Sequence, residues 1–303
     1  MPSSRTPALP LVAVAVTLVL WSSAFVAIRH LGGAFSPGAL SLGRLVVGSL
    51  ALGVALRLRG WTAPARRDWP GLVVVGLLWF GLYNVALNAG EHRVDAGTAA
   101  MLVQLSPVLV AVLAAVFLKE RATPMLGVGL LVAFAGVVLI ATSTSGSGSR
   151  DPWGVLLCLV AAFAYAVSLI VQKPLVSRLS AIEVTWIACT VGALACLPFA
   201  GSLVHDTAAA SASDVGWVVY LGLFPTAIAF STYAFALSSM TAGRLSVTTY
   251  LVPPITVLMS WVFLSEAPPV VAYVGGALCL LGVGVARRRP KVRAEPSGEP
   301  APA

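Results

Sequence analysis

The stretch GTAAMLVQLSPVLVAVLAAVFLKE, Gly97 to Glu120, returns 146 residues later as GRLSVTTYLVPPITVLMSWVFLSE, Gly243 to Glu266. Leu105, Pro107, Phe117, Leu118 and Glu120 lie over Leu251, Pro253, Phe263, Leu264 and Glu266, and further on Gly129 and Gly136 lie over Gly275 and Gly282. Coincident Leu or Val means little in an apolar chain, whereas Pro, Glu, Phe and Gly recurring at one offset mark an internal repeat. An offset of 144 also brings Trp21 over Tyr165 and Arg29 over Lys173. The chain is therefore read as two halves of one design.

Composition says what those halves are made of. Of 303 residues, 58% are apolar and 10% charged, with a mean hydropathy of +0.94, against roughly 25% charge in ordinary soluble domains. A soluble enzyme or binding module of this length would need far more charge to cover its surface. Long charge-free windows run between Arg5 and Arg29, Asp68 and Glu91, Asp95 and Lys119, Arg121 and Arg150, Asp151 and Lys173, Glu183 and Asp206, Asp214 and Arg244, Arg244 and Glu266, and Glu266 and Arg287. Each is long enough for one membrane-crossing helix of about 20 residues. A tenth lies between Arg29 and Arg57, interrupted only by Arg44 and opened by Ser36-Pro37. The expected fold is an all-α membrane protein of ten transmembrane helices. Because five is an odd number, the second set enters the bilayer from the opposite side, giving two inverted five-helix repeats over 1–145 and 146–287.

With the N-terminus inside, 15 of the 19 Lys and Arg fall in cytoplasmic segments, while Arg29, Arg93 and Arg150 lie outside and Arg44 within a span. Positive short loops stay in the cytoplasm, so both termini are expected there, and the net charge of +8 calls for no nucleic acid. Residues 288–303 read as a disordered cytoplasmic tail. The first span resembles a signal peptide but lacks a small-x-small cleavage site after Trp21 and reads as a retained anchor. Cys158, Cys189, Cys196 and Cys279 sit in apolar stretches without CxxC spacing, which suggests neither disulfides nor a metal site.

On these residues the chain resembles the EamA-type branch of the drug/metabolite transporter superfamily. The resemblance rests on Trp21-Ser22-Ser23-Ala24-Phe25, on Ser36-Pro37 through Arg44, on Ala89-Gly90-Glu91 with Asp95 to Ala100, and on Leu105-Ser106-Pro107 with Phe117 to Arg121. Val252-Pro253-Pro254 and Phe263 to Glu266 echo the last of these. It implies a multi-pass carrier of the bacterial inner membrane, without cofactor, exporting amino acids or related small metabolites by alternating access around a central cavity. The implied partners are a small-molecule substrate and the lipid bilayer, with a homodimer left open beside the monomer.

Polar groups inside a span are costly unless they face a cavity or a partner, so each is a site candidate. Arg44 lies seven residues after Pro37, about 10 Å along a helix. It reads either as attracting an anion in the cavity or as snorkelling to the headgroups. Asn84 and Asn88, four apart with Tyr83 beside them, share one face that would line the cavity or join helices. Gln104 and Tyr250 hold matching places three residues before Pro107 and Pro253, where broken helices expose carbonyls to a substrate. Trp21 and Tyr165 match in the first helix of each half and would clamp a substrate or simply fill space. Glu120 and Glu266 read as helix caps or as gates, and Glu91, beside His92 and Arg93, as an interfacial ion pair or a proton-coupling group.

No catalytic constellation emerges: His30, His92 and His205 are scattered, no HExxH or acidic pair occurs, and no nucleotide-binding loop is present. A passive channel is the remaining alternative, since sequence does not show whether two gates open together.

Overall fold

The computed structural model describes residues 8–31, 33–91, 93, 102–121, 123–144, 151–264 and 270–287, all of them helix and connecting turn. Helix α1 is Ala8–Leu31 and α2 Pro37–Arg59, followed by α3 Trp69–Val75, a π-helical stretch Gly76–Tyr83 and α4 Asn84–Glu91. Then come α5 Ser106–Phe117, α6 Pro124–Thr144, α7 Pro152–Leu175, α8 Ala181–Ala195 and α9 Ala200–Ala209. A second π-helical stretch, Gly222–Ile228, joins α10 Ala212–Leu221 to α11 Ala229–Ser239. The chain continues through α12 Ala242–Val247, a 3₁₀ turn Thr248–Leu251, α13 Val252–Leu264 and α14 Val270–Arg287.

Helix starts follow local chemistry. Ser180 with Glu183, and Ser211 with Asp214, form reciprocal capping boxes at α8 and α10. Asp151 accepts the Trp153 N–H to cap α7 and pairs with Arg93 at 3.0 Å. Those contacts, the Trp153 bond first, hold its carboxyl below the usual range. Arg93 thus has Asp151 as an interfacial partner, while the side chains of Glu91 and Glu266 lie outside the described residues.

Among the described residues seven helical segments are long and apolar enough to cross a membrane, and an eighth if α8 and the segment Leu197–Ala209, bent by 54°, make one span. The two other expected spans contain shorter apolar helices, Ser106–Phe117 and Val270–Ala286. Large apolar side chains such as Leu131, Phe117, Val262, Phe263 and Leu280 stay exposed, as lipid-facing groups do.

The main core joins α1, α2, α7, α8 and α11 around Leu45, Trp79, Phe80, Leu169, Tyr233 and Leu237. A second core holds α6 against α14. These two helices run antiparallel and meet at glycine: a Cβ on Gly136 would lie 2.5 Å from the Gly275 carbonyl oxygen, and one on Gly282 would lie 2.4 Å from the Ala133 nitrogen. Small residues let helix backbones approach where lipid supplies no hydrophobic drive. Gly129–Gly282 and Gly136–Gly275 contacts combine the two glycine pairs that the 146-residue offset relates. Likewise the Cys279 thiol donates to the carbonyl of Ala133, 146 residues before it, and the Cys189 thiol to that of Leu45, 144 before it.

Gly136→Leu or Gly282→Leu forces this pair apart. Overpacking of that kind costs about 1–3 kcal/mol, so both variants are expected to lower the melting temperature of the detergent-solubilised protein, and an unchanged melting temperature refutes the tight contact.

Candidate functional site

The site is assembled on the two π-helical stretches, which begin at Gly76 and Gly222, residues related by the 146-residue offset. Pro225 has no N–H to give the Leu221 carbonyl four residues back. Thr226 takes that carbonyl up, its Oγ1 donating at 2.8 Å, and the same oxygen accepts from Arg44 Nε at 3.0 Å. In the first stretch the Asn84 amide nitrogen donates to the carbonyls of Trp79 and Phe80, at 3.2 and 2.9 Å. Side chains thus satisfy the backbone groups that a widened helix frees inside the bilayer.

Seven of the expected residues, Trp21, Arg44, Tyr83, Asn84, Asn88, Gln104 and Tyr165, line one cavity of about 110 Å³. That is small beside the roughly 300–1,000 Å³ of drug-sized ligand sites. The Asn88 amide nitrogen donates to Ser41 Oγ at 2.9 Å and to the Pro37 carbonyl at 3.3 Å, and that of Gln104 to the Thr249 carbonyl at 3.1 Å. Trp79 contacts both Trp21 and Tyr165, its ring 6.3 Å from Trp21 and 5.1 Å from Tyr165.

Three expected residues are not brought to the cavity. Tyr250 is fully buried against the second core, its ring 6.4 Å from that of Phe134. The cause is the 3₁₀ turn at Thr248–Leu251, which advances three residues per turn and presents Thr249 instead. Pro107 and Pro253 lie in the first turns of α5 and α13, so each closes the break that precedes it and lines nothing. Glu120 likewise stands apart: its carboxylate accepts from the Ala242 and Gly243 N–H groups, at 2.8 and 3.2 Å, at the start of α12. It caps a helix, but one 122 residues away rather than its neighbour.

Arg44 is only 7% exposed. Among the described residues no carboxylate pairs with it, and the titratable groups acting on it are the Tyr83 phenol and the Cys189 thiol. No described carboxylate therefore compensates its charge, at a place where a lone guanidinium costs about 3 kcal/mol or more. Sequence reading missed Trp79, Phe230 and Thr249 in the lining, and Thr226 behind it. The one available signal was Pro225, a proline inside an apolar span.

The cavity occupies the end of the bundle toward Ile28 and Asn88, and aromatic rings close it from the other end. Trp21, Trp79 and Phe230 pack edge to face within 6.3 Å, backed by Phe80 and Tyr233. The Tyr165 and Tyr233 hydroxyls share a 2.6 Å hydrogen bond behind them. Eight residues further along α7, about 12 Å, Lys173 Nζ donates to the carbonyls of Leu237 and Met240 at 2.6 Å each, at the end of α11.

The sequence pattern of the EamA-like transporter family matches residues 8–142 and again 152–288. A probable terminal-alkyne amino-acid exporter of Streptantibioticus cattleyicolor is 38% identical over 91% of this chain and 93% of its own. An uncharacterized transporter of Bacillus subtilis is 31% identical over 87% and 86% of the two chains. One crystal structure superposes with a TM-score of 0.76 over 94% of this chain and 97% of the other, at 23% identity, a likeness of fold.

Because Arg44 is buried without a counter-ion among the described residues, its loss is expected to relieve a desolvation cost instead of creating one. Arg44→Leu is expected to melt in detergent no lower than the wild type. A fall of about 3 °C or more, on the order of 1 kcal/mol, would mark the guanidinium as a structural group.

Proposed function

The chain belongs to the EamA-like transporter family, and we propose that it exports amino acids or related small carboxylate-bearing metabolites by alternating access. It is a multi-pass membrane transporter with a small-molecule substrate, not an enzyme. The observation that carries the substrate class is Arg44, a buried cation on the cavity wall with no anion among the described residues. A substrate carboxylate supplies the missing partner, and charge-assisted hydrogen bonds to a guanidinium are strong and oriented. The amino-acid exporter among the relatives points to the same class.

Further parts of the reading rest on the repeat. Two five-helix units, 1–145 and 146–287, followed by a cytoplasmic tail at 288–303, account for the double family match. Contacts between offset-related residues, Ala133 with Cys279 and Leu45 with Cys189, are what a two-fold axis in the membrane plane produces. The short helices α5 and α14 then belong to the fourth and tenth spans. With the basic end of the bundle cytoplasmic in the inner membrane, the cavity faces outward, and the aromatic layer with Lys173 and Glu120 closes the inner side. Rocking of one unit against the other opens that side and closes the first.

Counterflow in proteoliposomes is the test. Saturable uptake of labelled amino acid into vesicles preloaded with unlabelled substrate is expected, abolished by Arg44→Leu, Asn88→Leu and Gln104→Leu at normal membrane insertion. Full activity of Asn88→Leu and Gln104→Leu sinks the site, and flux that never saturates favours a channel.

A further inference from the structure

We propose that the three cavity amides offer their oxygens as acceptors to a substrate ammonium group, so that the protein reads a zwitterionic head: carboxylate on Arg44, ammonium on Asn84, Asn88 and Gln104. This rests on the carrier reading above and narrows it. An amide side chain offers two donors and an acceptor, and which end faces a ligand follows from the bonds the other end makes. Here those bonds leave no choice. The Asn84 nitrogen faces two backbone carbonyls, the Gln104 nitrogen faces the carbonyl of Thr249, and the Asn88 nitrogen faces the carbonyl of Pro37 and the Ser41 hydroxyl. Turning any one over would set oxygen against carbonyl oxygen.

The Ser41 hydroxyl adds a second lock, since it donates to the Pro37 carbonyl at 2.8 Å and so receives the Asn88 N–H as acceptor. With the nitrogens so engaged, each of these three lining residues keeps its amide oxygen to offer a ligand, and Gln104 keeps one N–H besides. None of the three oxygens accepts a hydrogen bond from any described residue. An ammonium carries three donors and no acceptor, which matches three acceptors held by three fixed side chains. A carboxylate there would meet oxygen dipoles end on, so the amides do not serve the anionic half of the substrate.

The charge balance agrees. Among the described lining residues Arg44 is the only charged group, and neutral amide dipoles bind a cation without cancelling the charge that Arg44 presents to the carboxylate. A zwitterion brings both signs and no net charge. An amine lacking the carboxylate meets the uncompensated guanidinium, and an acid lacking the ammonium leaves three acceptors unpaired in an apolar site, the costly case. The rest of the lining is mostly apolar and aromatic, Trp21, Trp79, Phe230 and Val252 among it, and suits an uncharged side chain.

Competition against labelled norvaline in wild-type proteoliposomes tests this without any variant. Norvaline, pentanoate, N-acetylnorvaline and butylamine share one carbon chain and differ in head group. Removing or acylating the amine is expected to weaken competition by about ten- to a hundredfold, the scale of a charge-assisted bond, and butylamine is expected not to compete. In Asn88→Leu and Gln104→Leu the preference for norvaline over pentanoate, read from binding to the inserted protein, is expected to collapse toward one. Pentanoate or N-acetylnorvaline within about threefold of norvaline overturns the ammonium site and leaves the carrier reading intact. Butylamine matching norvaline overturns the pairing with Arg44. If norvaline, valine and phenylalanine all fail to bind or move, the amino-acid reading falls and this inference with it.

Discussion

Inside a bilayer a backbone carbonyl without a donor has no water to turn to, and the functional site here is organised by how that demand is met. Pro225 removes one N–H from the third span of the second half, and Thr226 repairs the loss at Leu221. The repair leaves a hydroxyl oxygen that receives Arg44 Nε. On the other side Asn84, itself on the cavity wall, repairs Trp79 and Phe80 with its amide nitrogen and keeps its oxygen unused by any described donor. Arg44, Asn84, Asn88 and Gln104 therefore each have a structural engagement through a side-chain nitrogen. Their orientation does not depend on a ligand being present, which is the preorganisation that low-affinity, fast-exchanging sites require.

The frame around the cavity divides into a stiff part and a separable part. Gly129, Gly136, Gly275 and Gly282 lock α6 onto α14 by backbone contact, an arrangement that tolerates no sliding because any side chain there collides. The closed end is built differently. Lys173 holds Leu237 and Met240 by carbonyl oxygens, Glu120 holds α12 by two N–H groups, and the aromatic layer touches mostly edge to face. Such contacts exchange for water at a modest net change in free energy, since each protein–protein bond is traded for a protein–water one. The α6–α14 contact is steric, whereas the other end combines buried aromatic packing with the polar contacts of Lys173 and Glu120.

Much of this was legible in the sequence, and the failures have physical causes. Hydrophobic run length and the repeat of Pro107, Phe117 and Glu120 at Pro253, Phe263 and Glu266 gave an all-helical membrane chain with an internal duplication. Polar residues in apolar runs, Arg44, Asn84, Asn88 and Gln104, were found because the bilayer makes them conspicuous. Tyr250 was misplaced because offset matching assumes identical helical phase, and a 3₁₀ turn changes the phase by most of a residue within one turn. Trp79 and Phe230 were invisible because an aromatic in an apolar span carries no sign of which way it points. Thr226 was missed for the opposite reason: a threonine in a helix ordinarily bonds its own backbone, and only the proline before it makes that bond consequential.

A carrier also has to let go. A carboxylate opposite the substrate ammonium would bind it more strongly than the three amide oxygens, yet none stands in the described lining. Full ion pairs at both ends of a zwitterion, in a water-poor cavity, would deepen the bound state relative to both open states and slow release. With one charged anchor at Arg44 and dipolar anchors at Asn84, Asn88 and Gln104, recognition is divided between two kinds of contact. The guanidinium draws the anion, and the amides discriminate by geometry at small cost in tightness. The same logic explains why Arg44 is held by a neutral hydroxyl through Nε and not by an acid. An acidic partner would stabilise the protein and disable the site, because a guanidinium already paired has little left to offer a passing carboxylate.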